Sequence, residues 1–205
     1  MRKLIVNEFM SLDGVAQAPG GADEDTSGGF AHGGWHMRYM DDELAQRWVL
    51  ASIVEAGGFL LGRRTYEIFA AYWPNAPEEE NVIAEPLNTK PKYVASGTLT
   101  EPLEWQNSTL VEGDVATTVA ELKQQGGADL HVIGSTQLVQ TLVAHDLVDE
   151  FRLMIDPVVL GGGKRIFRDD GLLRQLTLVE SQVTGTGAIL ATYAPPRKGR
   201  LPWPT

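Results

Sequence analysis

Three short apolar runs, each closing on glycine or a small hydroxyl residue, constrain this chain more than any other feature. They are Gly58-Phe59-Leu60-Leu61-Gly62, Lys92-Tyr93-Val94-Ala95 ahead of Ser96-Gly97-Thr98, and Leu130-His131-Val132-Ile133 ahead of Gly134-Ser135-Thr136. Apolar runs of four or five residues with such punctuation read as buried strands. Helical patterns lie between and after them. Ala45, Val49 and Ile53, with Leu44 and Trp48, recur at three- and four-residue spacing from Asp41 to Glu55. Arg63-Arg64-Thr65-Tyr66-Glu67 opens a second helix with Thr65 as its N-cap. Asp114 caps a third, whose buried side is Val115, Val119 and Leu122 and which ends near Gly126-Gly127, and an amphipathic helix follows Thr136. Strands alternating with helices require βαβ units and a largely parallel sheet.

The flanks of this pattern differ. Lys3 to Met10 reads as a first strand closed by Ser11-Leu12-Asp13-Gly14. Residues 17–35 are a glycine-rich loop whose length inside a compact domain marks it as either disordered or functional, and the preferred reading is a flexible lid. After Leu147 the sequence offers strands with little room for helices: Phe151 to Val159, Leu176 to Thr184 and Ala188 to Ala194. The last two, joined by Gly185-Thr186-Gly187, form an antiparallel hairpin. The expected fold is therefore α/β, a mixed, mostly parallel sheet covered by helices on both faces. At 205 residues with 43% hydrophobic content the chain is read as one domain over 1–194 and a Pro- and Arg-rich, loosely held tail over 195–205.

Charge and composition remove several functions. A formal net charge of −10 argues against nucleic-acid binding and against a basic membrane-surface patch. The absence of cysteine removes disulfides, thiolate catalysis and cysteine-based zinc sites. The apolar run at the N-terminus is broken by Asn7 and Glu8 and is too short for a signal-peptide core or a membrane span, so a cytoplasmic protein is expected.

In an open α/β sheet, ligands bind at the carboxyl ends of the strands. Gly62, Ser96 and Gly134 are then three strand ends facing one crevice. Their chemistry is backbone amides at helix N-termini, hydroxyls from Thr65, Ser96, Ser135 and Thr136, and the guanidinium groups of Arg63 and Arg64, a combination suited to phosphate. An ordinary strand-to-helix turn and a solvated arginine pair are the plain alternatives for any one of these features. Neither G-x-x-x-x-G-K-[ST] nor G-x-G-x-x-G is present.

Taken together, Ser11-Leu12-Asp13-Gly14, Leu61-Gly62-Arg63-Arg64-Thr65-Tyr66-Glu67, Tyr93-Val94-Ala95-Ser96, Ile133-Gly134-Ser135-Thr136, and Asp149-Glu150 followed by Pro157-Val158-Val159-Leu160-Gly161-Gly162-Gly163 and Phe167 carry a resemblance. The chain resembles the dihydrofolate reductase superfamily and, within it, the reductase domain of riboflavin biosynthesis proteins, over roughly residues 2–194. The resemblance implies a three-layer α/β/α domain around about eight strands, with NADPH as cofactor. It implies that Arg63 or Arg64, with Gly62 and Thr65, lies near the adenosine phosphates and that Ser96 receives the 2′-phosphate. Gly134, Ser135, Thr136, Gln137 and Leu138 then hold the pyrophosphate, while Val15 and Ala16 line the nicotinamide side. Many relatives have Gly-Gly where this sequence has Gly134-Ser135.

For the substrate, the resemblance points to Asn7 and Asp13 facing the crevice and to Asp41 as the catalytic carboxylate. A dipole-compensating cap for Asp41 and a turn brace for Asp13 are the competing readings. The implied activity is reduction of 5-amino-6-(5-phosphoribosylamino)uracil. The alternatives are a reductase of another pterin, folate or xenobiotic, and a non-catalytic dinucleotide-binding dimer. A homodimer is expected from the exposed sheet edge such a fold leaves. His32 and His36, four apart among glycines, read as loop residues without a metal; His131 and His145 read as structural. Asp23-Glu24-Asp25 and Glu78-Glu79-Glu80 read as solvated charge. Gly161 to Gly163 with Lys164-Arg165 reads equally as a substrate-phosphate cradle or a sharp turn.

Overall fold

A computed structural model describes residues 1–196. Eight strands form one sheet: β1 Leu4–Ser11, β2 Gly58–Gly62, β3 Lys92–Ala95, β4 Ser108–Val111, β5 Leu130–Ile133, β6 Glu150–Asp156, β7 Thr177–Val183 and β8 Ile189–Ala194. Their order is β4-β3-β2-β5-β1-β6-β8-β7. The six from β4 to β6 pair in parallel, whereas β8 runs antiparallel to both β6 and β7. Five helices cover it: α1 Glu43–Val54, α2 Arg63–Tyr72, α3 Asn81–Thr89, α4 Val115–Gln124 and α5 Thr136–Ala144.

Alternation along the central strands sorts the core into two layers. Leu4, Val6, Leu60, Leu130 and Val132 pack on Val119 and Leu122 of α4 and on Leu138, Val139 and Leu142 of α5. Phe59, Leu61 and Val94 face the other way, onto Ile53 of α1, Tyr66 of α2 and Leu87 of α3. The result is the three-layer α/β/α arrangement expected from the sequence, with its antiparallel hairpin at one edge.

Three details differ from the sequence reading. Helix α2 begins at Arg63, so Gly62 and not Thr65 is its N-cap residue. Strand β4 and helix α3 have no clear local signal: β4 is a short, half-exposed strand held by its pairing with β3, and Pro86 stands inside α3, where proline ordinarily ends a helix. The 17–35 loop is tied down. Trp35 Nε1 donates to the Gln17 carbonyl at 2.8 Å, and Gln17 Nε2 donates to the carbonyls of Asp25 and Ser27, both at 2.9 Å. The proposed tail falls on residues 195–205, and from 197 on it lies outside the described residues. Among the described residues no helix is long and apolar enough to cross a membrane.

Candidate functional site

The sheet opens a slot next to β1. Its pairing with β5 stops at Asn7↔Ile133, while its pairing with β6 continues to Ser11↔Asp156. Glu8 to Ser11 therefore have no strand beside them on the β5 side. A cleft of ≈ 1490 Å³ opens there and runs along the carboxyl ends of β3, β2 and β5. That exceeds the few hundred to about a thousand Å³ usual for a small-molecule site and leaves room for a dinucleotide together with a second ligand.

One wall is made of strand ends and helix starts. At the β5–α5 turn, Gly134 (φ 58) and Ser135 (φ 65) are both left-handed. A Cβ on Gly134 would also lie 3.3 Å from Thr65 Oγ1, so glycine answers both conformation and space. Ser135 does not cap α5. Its Oγ instead accepts from Gly62 N at 2.9 Å and lies 3.0 Å from Thr65 Oγ1, stapling the β2–α2 turn to the β5–α5 turn. The first-turn amides of α5 are left without a side-chain cap, at the positive end of the helix dipole. Uncapped amides at a helix start can hold an anion.

The two arginines divide their work. Arg63 Nη1 donates to Thr98 Oγ1 at 2.7 Å. Ser96 Oγ accepts from Thr98 N at 3.1 Å and from Leu99 N at 3.0 Å, which folds the β3 end beneath the Arg63 guanidinium. Arg64 turns the other way, donating to Asp25 Oδ1 at 2.6 Å and to Ser27 Oγ at 2.8 Å. Lys164 Nζ meets the other oxygen of Asp25. Burial opposes ionisation of Asp25, but hydrogen bonds from Lys164, Ser27 and Arg64 outweigh it and hold the carboxyl well below its ordinary range. The solvated charge expected at Asp25 is in fact a latch joining the 17–35 loop to α2 and to the segment after Gly163.

Gly62, Arg63, Arg64, Thr65, Ser96, Gly134, Ser135, Thr136, Gln137 and Leu138 all line the cleft, as do Ala16 and Asn7. Val15 does not. It is fully buried, and a Cβ on Gly163 (φ 133) would come within 2.5 Å of its Cγ1. Gly163 therefore makes a close turn against Val15, the second of the two readings offered for the glycine run. Asp13 is also outside the cleft. Its carboxylate accepts from Ser11 Oγ, Leu160 N and Gly161 N at 2.7, 3.0 and 2.9 Å. Slight desolvation is outweighed by these bonds, and the carboxyl is lowered to about 2. It braces the turn, with three of its acceptor sites taken by the protein. Asp41 is exposed and lines no part of the cleft; the cap of α1 is Asp42, whose side chain accepts from Ala45 N at 3.0 Å.

Other groups stand where the sequence gave no notice. Glu8 lines the cleft with 4% of its surface exposed, and its Oε1 has no partner. Burial, reinforced by the negative charge of Glu24, pushes its carboxyl well above the usual range. The one available signal was an acid at a core-facing position of an apolar strand. His36 is buried, stacks on Phe9 with ring centroids 3.7 Å apart, and holds Asp156 Oδ2 through Nδ1 at 2.7 Å, a pairing across 120 residues that no local pattern announces. Asn7 Nδ2 lies 3.2 Å from His131 Nδ1. No group of side chains among the described residues could hold a metal ion.

Comparison with known proteins gives this geometry a family. The model of the RibD C-terminal domain matches residues 2–190. The uncharacterised Bacillus subtilis (strain 168) protein YyaP is 32% identical over 194 residues, 94% of each chain. The crystal structure of a riboflavin biosynthesis protein from Shewanella sp. PV-4 superposes with a TM-score of 0.67 at 22% identity, covering 95% of this chain and 99% of that one. Acinetobacter baumannii RibD superposes with a TM-score of 0.65 at 16% identity over 96% of this chain, which spans 59% of that longer protein. At these identities the two structures establish the fold.

Proposed function

The chain belongs to the RibD C-terminal domain family, a reductase family, and from that premise we propose that it is an NADPH-dependent reductase of a small heterocyclic or sugar-linked substrate. The observation that carries the reading is the uncapped start of α5, with its left-handed Gly134 and Ser135, beside Arg63 and Ser96 on one cleft wall. When bound, NADPH supplies a hydride to a C=N or C=O carbon. The amides of Thr136, Gln137 and Leu138 hold the pyrophosphate, and Gly62 and Thr65 lie along the adenosine phosphates. Arg63, with Ser96 and Thr98, receives the 2′-phosphate. Ala16 and the free edge of β1 border the nicotinamide end, and the Asp25 latch to Arg64 and Lys164 holds the 17–35 loop over it, excluding water. Such an enzyme works where reduced nicotinamide is available, in the cytoplasm.

Titration with NADPH and NADH, followed by nicotinamide fluorescence, tests this directly. Saturable binding with NADPH the tighter ligand is expected; failure of both to bind overturns the reading. The phosphoribosylaminouracil implied by the family is the first compound to offer as hydride acceptor.

We also infer a homodimer through β7. All seven of its residues are exposed at the sheet edge, including Leu178, Val179 and Val183. An uncovered edge strand carrying three exposed apolar side chains invites pairing with a second copy. Sedimentation should find a dimer, and Val179→Lys should shift it toward monomer; a monomeric parent protein overturns the inference.

A further inference from the structure

The cleft is larger than its phosphate-binding wall requires, and its other half has a distinct chemistry. Beyond Asn7 and Phe9 it continues between α1, α2 and α3 as a lobe walled mainly by Trp48, Val49, Ile53, Phe69 and Ile83, with Ser52 and the hydrogen-bonded pair Tyr72 and Glu80 as its polar lining. Phe9 and Trp48 stand with ring centroids 6.4 Å apart at 47° to each other, and Phe9 is backed by the His36 ring. Those walls offer stacking surface and few hydrogen bonds. The cleft is lined by several acids, among them Glu8, Glu24 and Glu80, and burial raises the carboxyls of Glu8 and Glu24. The basic residues that line the cleft have their contacts outside the lobe walls: Arg63 with Thr98 and Glu67 at the phosphate-binding end, Arg64 and Lys164 with Asp25, and His36 with Asp156. An anion entering the lobe would shed its water without gaining a cation. A flat, uncharged ring system would meet aromatic and aliphatic surface on both sides.

We propose that this lobe selects an unphosphorylated, uncharged aromatic substrate bearing a reducible carbonyl or imine, in place of a sugar phosphate. The inference rests on the reductase reading for its cofactor half and on the α1–α2–α3 lobe for its substrate half, and the two fail separately. The test is a tryptophan-fluorescence titration of the whole protein, with and without saturating NADP⁺. Menadione serves as the flat, uncharged carbonyl probe and ribose 5-phosphate as the phosphorylated one. Menadione is expected to quench to saturation, with ribose 5-phosphate neither binding nor competing. Val49→Glu and Ile83→Glu, on different helices, should each weaken menadione by at least about tenfold, because each puts a carboxylate into an apolar wall, while NADP⁺ affinity stays unchanged. Circular dichroism identifies a variant that fails to fold, and the other then carries the test. Competition by ribose 5-phosphate, no binding of menadione, or menadione binding indifferent to both substitutions overturns the proposal. Menadione binding in a protein that ignores NADP⁺ and NADPH would leave the lobe standing and remove the reductase reading.

Discussion

Replacing Arg63 by alanine is expected to weaken NADPH by roughly 10- to 100-fold and NADH far less. That range corresponds to the loss of about 1.5–3 kcal/mol for a hydrogen bond to a charged group. The two adjacent arginines point in different directions. Arg64 is engaged with Asp25 and Ser27, whereas Arg63 lies over the Ser96–Thr98 turn at the end of β3. Only NADPH carries the 2′-phosphate that this corner would receive. The side chain is half exposed, so the discrimination should shrink as salt is raised. Arg64→Ala should act differently, loosening the 17–35 loop and weakening both nucleotides alike. Fluorescence titration of the two variants with the two nucleotides separates these outcomes, and equal weakening by Arg63→Ala would remove the 2′-phosphate assignment.

What the sequence made legible follows a physical pattern. The strands β2, β3 and β5 are short, apolar and closed by glycine or hydroxyl residues, so local composition specifies them, and the cleft wall made from their ends could be read with them. Backbone-built sites are visible in this way because glycine and small residues announce the conformations they permit. Side-chain sites assembled across the sheet are not. The Asp25 latch joins residues 139 apart to Lys164, and the His36–Asp156 pair spans 120. Asp13 and Asp41 were drawn toward the substrate by resemblance, yet one carboxylate is consumed by the Leu160 and Gly161 amides and the other is exposed away from the cleft. Helix α3 and strand β4 went unread because Pro86 and an edge position weaken the local signal, and tertiary contact supplies what propensity lacks.

His131 should impose an acid limit on stability. It sits in β5 at 1% exposure. Its Nδ1 accepts from Asn7 Nδ2 at 3.2 Å, which places the proton of the neutral ring on Nε2. Burial first, and the nearby charge of Arg152 second, bring its pKa from 6.5 down to about 4. The unfolded chain therefore takes up a proton between pH 6.5 and 4 that the folded protein refuses, so stability falls as pH falls through that window. The full difference corresponds to about 3 kcal/mol, of which about 2 kcal/mol is lost by pH 5. The parent protein's own pH curve would blur this. Glu8, Glu24 and Asp156 have raised folded values and gain stability over part of the same range, while Asp13 and Asp25 have lowered ones and lose it further into acid. The difference between parent and His131→Gln isolates the effect, because glutamine keeps an acceptor and a donor and never titrates. In urea unfolding at pH 7 and pH 5, the parent should lose about 2 kcal/mol relative to the variant on going to the lower pH. A difference that does not change with pH would mean that folded His131 takes its proton as readily as the unfolded chain does, and the buried Asn7–His131 pairing would have to be redrawn.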